Sequence, residues 1–318
     1  MAYKVSIIIA VGMPGAYLDE CVEHCLSLDY LGAEIIVLPD GEWTPPDASI
    51  RVIPTGKVRP AEKRDRGARE ATGEIVAIID DDAYPCREWL SRALRHFDDP
   101  DVAAVGGPGV TPPDDNLRQK ISGWIYESPM VSGGFTYRYR PGAMRDVDDY
   151  PTSSLLIRRE DFLAVGGFDT GYWPGEDTIL CLKLTRQLGK RIVYDPDVLV
   201  HHHRREIFGG HLRQIKSYAL HRGFFVRKFP ETSLKPSYFV PSVFTLFSLF
   251  GWMSVFLWEP LLLVWFVIMD MYLLLALWHS LRTLNPFGIL GIITGTFLTH
   301  ITYGIWFMLG LVSTELHD

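Results

Sequence analysis

The sequence predicts an α/β domain with an open, mainly parallel sheet, followed by a region of three membrane-spanning helices. Two observations predict the first part: short apolar runs alternate with helical stretches through residues 1–200, and two of these runs end abruptly in aspartates. One observation predicts the second part: three stretches after residue 238 are long and apolar enough to cross a bilayer. We therefore expect a first domain over residues 1–200, a basic amphipathic interface segment over 201–237 and a transmembrane domain over 238–318.

The first half of the α/β domain alternates apolar strands with helical stretches. Glycines and prolines mark the turns between them. The predicted elements are a strand at 5–10, a helix at 18–28, strands at 34–38 and 50–54, a basic helix at 60–72, a strand at 75–79 and a helix at 89–97. Asp40 and Asp80 each end an apolar run. Ligands of open parallel sheets bind beyond the carboxyl ends of the strands, so both carboxylates are expected at one crevice.

The second half of this domain is less regular. Glycines and prolines interrupt any regular element at 106–113, and residues 114–150 are polar and aromatic. We expect a loop-rich insertion or lid there. An apolar strand at 155–159, a turn at 166–169, a helix at 178–188 and a strand at 191–194 complete the predicted domain.

Three consecutive aspartates, Asp80, Asp81 and Asp82, follow the predicted strand at 75–79. One interpretation is that they cap the helix predicted at 89–97, since carboxylates favour the positive end of a helix. A single cap would suffice, however, and adjacent carboxylates repel each other unless a cation or hydrogen bonds compensate. Carboxylate oxygens suit Mg²⁺ or Mn²⁺, which usually bind one or two carboxylates together with substrate phosphates. The pattern therefore favours a metal–nucleotide site.

The membrane spans are predicted at 239–258, 260–278 and 287–311. Directly before them, residues 198–231 carry seven lysines and arginines against two glutamates. Such a segment marks the cytoplasmic side of a span and attracts anionic head groups. We expect a multi-pass protein of the inner (plasma) membrane whose first domain lies in the cytoplasm.

Two ionisable residues fall near the middle of predicted spans: Asp270 in the second and His300 in the third. An acid inside the membrane is costly unless it has a partner. We expect Asp270 and His300 to face one another at similar depth.

Several short motifs occur in a specific order along the first 230 residues. They are Asp40-Gly41, Lys63-Arg64-Asp65, Asp80-Asp81-Asp82, Gly166-Gly167-Phe168-Asp169, Glu176-Asp177 and His201-His202-His203-Arg204. In this order and spacing they resemble the GT-A fold glycosyltransferases of family 2, in the membrane-anchored branch. The resemblance implies a GT-A catalytic domain over residues 1–200, a nucleotide-sugar donor, Mn²⁺ or Mg²⁺ as cofactor, and inversion at the anomeric carbon.

The resemblance also assigns roles to residues of the donor site. Glu176-Asp177 resembles the family's acidic pair, in which the aspartate, here Asp177, takes the proton from the acceptor hydroxyl. A helix N-terminus that favours carboxylates explains the same pair, and the two interpretations are compatible. The implied nucleotide-sugar contacts are Asp40, Lys63, Arg64, Asp80, Asp81, Gly107 and Glu176.

The metal ligands implied by the resemblance are Asp82 and a histidine from the run His201 to His203. In an extended segment alternate side chains face opposite ways, so His202 points away from its two neighbours. The register to the following arginines favours His202 or His203. A pH-sensitive surface cluster is the alternative for these histidines.

The acceptor is expected to be lipid-linked, either a polyprenyl lipid or a glycolipid. The arginines expected to bind its phosphate are Arg204, Arg205, Arg213 and Arg222, since guanidinium groups pair with phosphates through two hydrogen bonds. Simple adhesion to the membrane explains this charge equally well. The processive synthases of the family carry a Q-x-x-R-W signature; here Ser217 and Tyr218 replace the arginine and tryptophan after Gln214, which favours transfer of one sugar per encounter.

The predicted activity is therefore a metal-dependent, inverting, non-processive glycosyltransferase at the cytoplasmic membrane face, with no nucleic-acid partner. Two alternatives remain at this point. One is a metal-dependent nucleotidyl- or phosphotransferase that uses the same aspartates. The other is a non-catalytic membrane scaffold that binds a nucleotide sugar.

Overall fold

The computed structural model describes residues 3–168 and 171–316, and the motif residue Asp169 lies outside this part of the chain. The chain divides into two compact units. The first comprises Met1–Pro112 and Tyr137–His203, and the second comprises Pro113–Thr136 and Arg204–Asp318. The insertion expected at 114–150 is thus divided between the two units.

The first unit is built on an eight-stranded sheet. Its strands are β1 (Val5–Ala10), β2 (Glu34–Leu38), β3 (Arg51–Val52), β4 (Ile75–Asp80), β6 (Val102–Gly106), β8 (Arg145–Val147), β9 (Ser154–Arg158) and β10 (Arg191–Tyr194), in the order β3-β2-β1-β4-β9-β6-β10-β8. Strands β9 and β8 pair antiparallel with their neighbours, and the remaining strand pairs are parallel. The predicted mainly parallel sheet is confirmed.

Helices cover the sheet of the first unit. They are α1 (Ala16–Leu26), α2 (Pro60–Glu70), α3 (Trp89–Leu94), α6 (Arg159–Ala164) and α7 (Glu176–Leu182). The β1 and β4 sequences, VSIIIA and IVAIID, are almost continuously apolar because the sheet is covered on both faces, and all but the last residue of each strand is buried. Leu18 of α1 and Trp89 of α3 are buried in the same hydrophobic core as Ile7 and Ile9 of β1.

A second, three-stranded sheet in the same unit was not predicted. It consists of β5 (Ala83–Pro85), β7 (Gly109–Val110) and β11 (Val200–His202), with β11 in the centre. Strand β11 is antiparallel to β5 and parallel to β7. This sheet joins the segment after the aspartates to the histidine run.

The second unit is helical. Its helices are α4 (Leu117–Tyr126), α5 (Pro129–Ser132), α8 (Gly209–Lys228), α9 (Pro230–Ser233), α10 (Pro236–Phe250), α11 (Pro260–Ser280) and α12 (Pro286–Val312). Within the described residues, three segments are long and apolar enough to cross a membrane: Pro236–Phe256, Pro260–Ser280 and Pro286–Val312. The three predicted spans therefore correspond to three helices.

Helices α8 and α12 approach closely because glycines lie at their contact. A Cβ atom at Gly223 would be 2.2 Å from the carbonyl oxygen of Phe307, and one at Gly310 would be 2.2 Å from that of Leu220. Any larger residue would force the two backbones apart. Small residues serve the same purpose in contacts between membrane helices.

The expected pairing of Asp270 with His300 is wrong. Nδ1 of His300 lies 2.8 Å from the hydroxyl of Tyr272, and Nε2 lies 2.9 Å from the carbonyl oxygen of Met130. His300 is buried, whereas Asp270 is exposed. Both ring nitrogens of His300 are therefore already hydrogen-bonded, and neither partner is Asp270.

The buried residue His211 should make the stability of the folded protein depend on pH. His211 is fully buried, with Nδ1 2.7 Å from Ser122 Oγ and Nε2 2.9 Å from Thr299 Oγ1. Burial, together with the charge of Arg204, lowers its pKa to about 4. In the unfolded chain the pKa is about 6.5. Between these values only the unfolded state binds the proton, so the stability provided by the neutral histidine is lost as the pH falls below about 6.5.

Lowering the pH from 7 to 5 should therefore decrease the free energy of unfolding by about 2 kcal/mol through His211 alone. Thermal unfolding of the purified protein in detergent at both pH values measures this. His211→Gln should remove that part of the pH dependence. Thr299→Val keeps the titrating group, so it should lower stability while retaining the pH dependence. An unchanged pH dependence in His211→Gln would contradict the assignment.

Candidate active site

The candidate metal site is formed by Asp80, Asp82 and His202. One potential ligand atom of each lies within 4.8 Å of those of the other two. His202 Nε2 is 3.2 Å from Asp82 Oδ1. Two carboxylates and one imidazole form a mixed oxygen and nitrogen ligand set, which suits Mn²⁺ and leaves positions for substrate oxygens. The three residues present thus fit a divalent cation.

Strand pairing explains why Asp82 and His202, which are 120 positions apart in the sequence, lie next to each other. Asp80 is the last residue of β4, and the turn through Asp81 and Asp82 leads directly into β5. In the second sheet His202 pairs with Ala83, and the backbone N–H of His203 donates to the carbonyl oxygen of Asp82 at 2.9 Å. The helix α3 begins at Trp89 with Glu88 as its N-cap. The aspartates therefore do not cap it.

The other two histidines of the run lie on the opposite side of the strand. His201 stacks on Tyr84 with ring centroids 4.7 Å apart, and His203 Nε2 lies 2.9 Å from Glu20 Oε2. His203 also stacks on Tyr17, at 4.3 Å. This alternation is the one expected of an extended segment. The structure therefore brings His202, and not His203, to the aspartates.

Arg64 connects the aspartates with the acidic pair. Its guanidinium lies 2.6 Å from Asp80 Oδ1 and 3.0 Å from Glu176 Oε1, and the side chain is buried. Burial disfavours its charge, but Asp80 and Glu176 outweigh burial and raise the pKa of Arg64. The second oxygen of Glu176, Oε2, is buried without a hydrogen-bond partner within the described residues. A polar ligand group is one partner that would satisfy this oxygen.

Glu176 and Asp177 form the first turn of α7. The N-cap of this helix is Gly175, so neither carboxylate is the cap itself, although both lie where the helix dipole favours negative charge. Asp177 is half-buried, and its Oδ1 accepts the backbone N–H of Thr178 at 2.7 Å. Glu176 is tied to Arg64, which leaves Asp177 as the more accessible acid of the pair.

Two further residues that were expected to contact the nucleotide sugar form an ion pair with each other. The ammonium group of Lys63 is buried and forms an ion pair with Asp40. Asp40 follows β2, and its backbone N–H donates to the carbonyl oxygen of Gly12 at 3.1 Å. Lys63 also donates to the carbonyl oxygen of Val11. The pair thus lies at the carboxyl ends of β1 and β2, at the sheet edge that the sequence indicated.

Gly107 has a packing reason to be glycine. A Cβ atom there would lie 1.7 Å from the carbonyl oxygen of Val198, and the Gly107 carbonyl accepts the hydroxyl of Tyr150 at 2.8 Å. Its close approach to the segment before β11 holds the second sheet in place. This contact is structural, and the contact of Gly107 with the nucleotide sugar stays a prediction.

The four predicted phosphate-binding arginines belong to the second unit. Arg204 is buried with its guanidinium 5.9 Å from the centroid of the Tyr126 ring, and Arg222 lies 4.8 Å from the ring centroid of Tyr238. Arg205 and Arg213 are exposed. Arg213 and Arg222 are nine residues apart on α8, so they are separated by about 13.5 Å along the helix axis. The four arginines are thus spread along the second unit.

The two ion pairs of Arg64, with Asp80 and with Glu176, lead to a prediction about the free energy of unfolding. Arg64→Met would leave the carboxylates of Asp80 and Glu176 without their buried partner, and breaking a buried ion pair in this way costs about 3–5 kcal/mol. Chemical denaturation of wild type and variant measures the loss. Arg66→Met, which removes an exposed arginine of the same helix, serves as control and should change stability by less than about 1 kcal/mol. Equal stability of the two variants would contradict the bridge.

Comparison with known proteins identifies the family. The sequence model of the family described as "Glycosyl transferase family 2" matches residues 6–166, which is half of the chain. The chain belongs to glycosyltransferase family 2. The matched residues include Asp40, Lys63, Arg64 and the three aspartates, whereas His202 and Asp177 lie beyond them.

The chain shares sequence with two named glycosyltransferases. It is 32% identical over 188 residues to the "Pre-mycofactocin glycosyltransferase" of Mycobacterium tuberculosis, covering 55% of this chain and 39% of the relative. It is 25% identical over 226 residues to the "Glucosyl-dolichyl phosphate glucuronosyltransferase" of Haloferax volcanii, covering 63% of this chain and 69% of the relative. The chain thus spans about two-fifths of the length of the mycobacterial relative.

Solved structures show the fold. The family 2 chain is similar to "Mannosyltransferase PcManGT from Pyrobaculum calidifontis in complex with GDP-Man and Mn2+", with a TM-score of 0.57 and 20% identity over 96% of this chain and 88% of that one. It is also similar to GalNAc-T7, solved "with UDP, GalNAc and Mn2+", with a TM-score of 0.50 and 16% identity over 74% and 52% of the two chains. The predicted GT-A fold is confirmed.

Proposed function

We propose that this chain transfers one sugar, with inversion, from a nucleotide-diphosphate sugar to a lipid-linked acceptor at the cytoplasmic face of the inner membrane. The observation that carries the proposal is the connected set of acidic and basic residues at the sheet edge. Asp80, Asp82 and His202 offer ligands for a divalent cation, and Arg64 joins Asp80 to the helix that carries Asp177. Membership of family 2 supports sugar transfer as the reaction.

The donor is proposed to lie over the carboxyl ends of β1, β2 and β4. The ion pair of Asp40 and Lys63 would contact the nucleoside, and Asp80 with Asp81 the ribose and phosphates. The names of the similar structures, with GDP-Man or UDP and Mn²⁺, support a nucleotide sugar and a divalent cation. Mn²⁺ or Mg²⁺ held by Asp80, Asp82 and His202 would neutralise charge on the leaving diphosphate.

Asp177 is proposed as the general base. An acceptor hydroxyl needs a positioned base to lose its proton as it attacks the sugar carbon. Glu176 cannot turn freely, because Arg64 holds it. Asp177 is half-buried at the start of α7, so it is shielded enough to hold a position and open enough to meet a substrate. The proton on the attacking hydroxyl would pass to its carboxylate.

The acceptor is proposed to be a polyprenyl lipid or glycolipid. The named activity of the Haloferax volcanii relative, which includes dolichyl phosphate, supports a lipid-linked acceptor. The four arginines are spread along the second unit, so we assign them to phosphates of the acceptor and of neighbouring lipids rather than to a single phosphate. Their position before three apolar helices supports a cytoplasmic location for the first unit.

Partition of labelled sugar tests the acceptor class. Wild-type protein in vesicles is given a panel of radiolabelled nucleotide sugars with Mn²⁺, and vesicles contain either polyprenyl phosphate or neutral glycolipid. The proposal expects label from one donor to enter the organic phase with one of these lipids. Label that enters only water-soluble products in every arm would contradict a lipid-linked acceptor.

A further inference from the structure

An acid lies at the centre of the second apolar helix and faces outward. Asp270 is the eleventh of the 21 residues of α11, so it lies about 15 Å from either end, near the middle of a bilayer core. Its side chain is exposed. Within residues 3–168 and 171–316, no side chain or backbone group forms a hydrogen bond or ion pair with its carboxylate.

The surface around Asp270 is apolar and equally uncovered. The residues one turn away on the same side of α11 have large exposed fractions: Phe266 50%, Val267 49%, Leu273 46% and Leu274 63%. In the membrane this face meets lipid tails or another protein. Lipid tails offer no hydrogen bond, and a carboxyl group at this depth is costly without one.

A second copy of the chain would supply a matching group. All copies insert in the same orientation, so a neighbouring copy presents its own Asp270 at the same depth. Around a two-fold axis along the membrane normal, the two faces are self-complementary. No lysine or arginine lies in any of the three apolar helices, so a cation from another copy is not available there. A carboxyl group that carries a proton can donate to a second carboxyl group and accept from it.

We propose that α11 is a homodimer interface in the membrane, at which Asp270 of one copy hydrogen-bonds to the same residue of a second copy. At least one of the two carboxyl groups carries a proton in this pair. Phe266, Val267, Leu273 and Leu274 pack around it. The proposal rests on membrane insertion of the three helices, which the proposed function also requires, but it does not rest on the reaction.

Fluorescence energy transfer between copies measures the association. Donor- and acceptor-labelled full-length chains are reconstituted together in vesicles over a range of lipid-to-protein ratios, after resistance to alkaline extraction has confirmed insertion. Wild type should show transfer well above random proximity. Asp270→Leu places an apolar side chain at this position and removes the proposed hydrogen bond, so it should raise the dimer dissociation constant roughly tenfold. Asp270→Asn keeps a donor and an acceptor and should stay within about threefold of wild type.

Met271→Leu is the matched control, since position 271 is exposed but turned about 100° around the helix. It should leave association unchanged. Equal association of wild type and Asp270→Leu would overturn the proposal. Wild type that inserts but shows only random proximity would overturn it too, and would indicate that lipid or a different protein covers this face. Chains that fail alkaline extraction would overturn membrane insertion itself, and the dimer with it.

Discussion

Asp177→Asn should lower the rate of sugar transfer by about 10²- to 10⁴-fold. The amide has nearly the shape of the carboxylate but cannot take the proton of the acceptor hydroxyl. Binding of the nucleotide sugar should persist, because the proposed metal ligands and Arg64 are untouched. Transfer is measured by initial rates in vesicles, and donor binding by calorimetry. Asp98→Asn, an exposed acid of the same unit, is the control and should transfer at the wild-type rate.

Transfer that survives in Asp177→Asn would contradict the proposed role of Asp177 as base. Loss of both transfer and donor binding would indicate a structural role at the start of α7. Thermal unfolding separates these outcomes, because a variant that melts with wild type has kept the helix. A transferase acting on phosphate rather than on the sugar carbon would not need this acid.

Asp82→Asn should lower transfer roughly 10²- to 10³-fold and weaken Mn²⁺ binding. The amide removes one negative charge from the proposed ligand set and leaves its size almost unchanged. Mn²⁺ binding can be measured directly by electron paramagnetic resonance, with the nucleoside diphosphate present, independently of turnover.

The adjacent histidines provide a matched pair for the same measurement. His202→Ala should weaken Mn²⁺ binding, because this side chain is the one that reaches Asp82. His203→Ala should retain it, since that ring contacts Glu20 and Tyr17 instead. The reverse result would mean that the strand register at β11 differs from the one described. Equal binding in all three variants and wild type would contradict the metal site.

Much of the first unit could be predicted because most strands of its large sheet appear in the sequence as short, continuous apolar runs. Runs such as residues 75–79 are apolar throughout, and the structure has a strand at Ile75–Asp80. The carboxyl ends of parallel strands meet at one edge, which is why Asp40 and Asp80 could be assigned to one side of the sheet. The last predicted strand, 191–194, has the bounds expected.

The sequence does not show which histidine of the run lies beside the aspartates, because strand pairing in the tertiary structure determines this. Strands β5, β7 and β11 are two or three residues long and carry no periodic signal. Their pairing selects His202 over its neighbours. The bridge from Arg64 to Glu176 spans 112 positions in sequence, and the pattern of α2 gave no indication of it beyond an arginine. The predicted pairing of Asp270 with His300 is wrong because periodicity does not fix the rotation of a uniformly apolar helix.

The most direct test is to identify the nucleotide released during turnover. Wild type in vesicles with a labelled donor, lipid acceptor and Mn²⁺ should release nucleoside diphosphate in step with labelled lipid, and chelator should stop both. Transfer from the sugar carbon breaks the bond between that carbon and the diphosphate, so no other nucleotide is expected. Release of nucleoside monophosphate with sugar phosphate would contradict glycosyl transfer, and metal-dependent donor binding without any product would favour a binding scaffold.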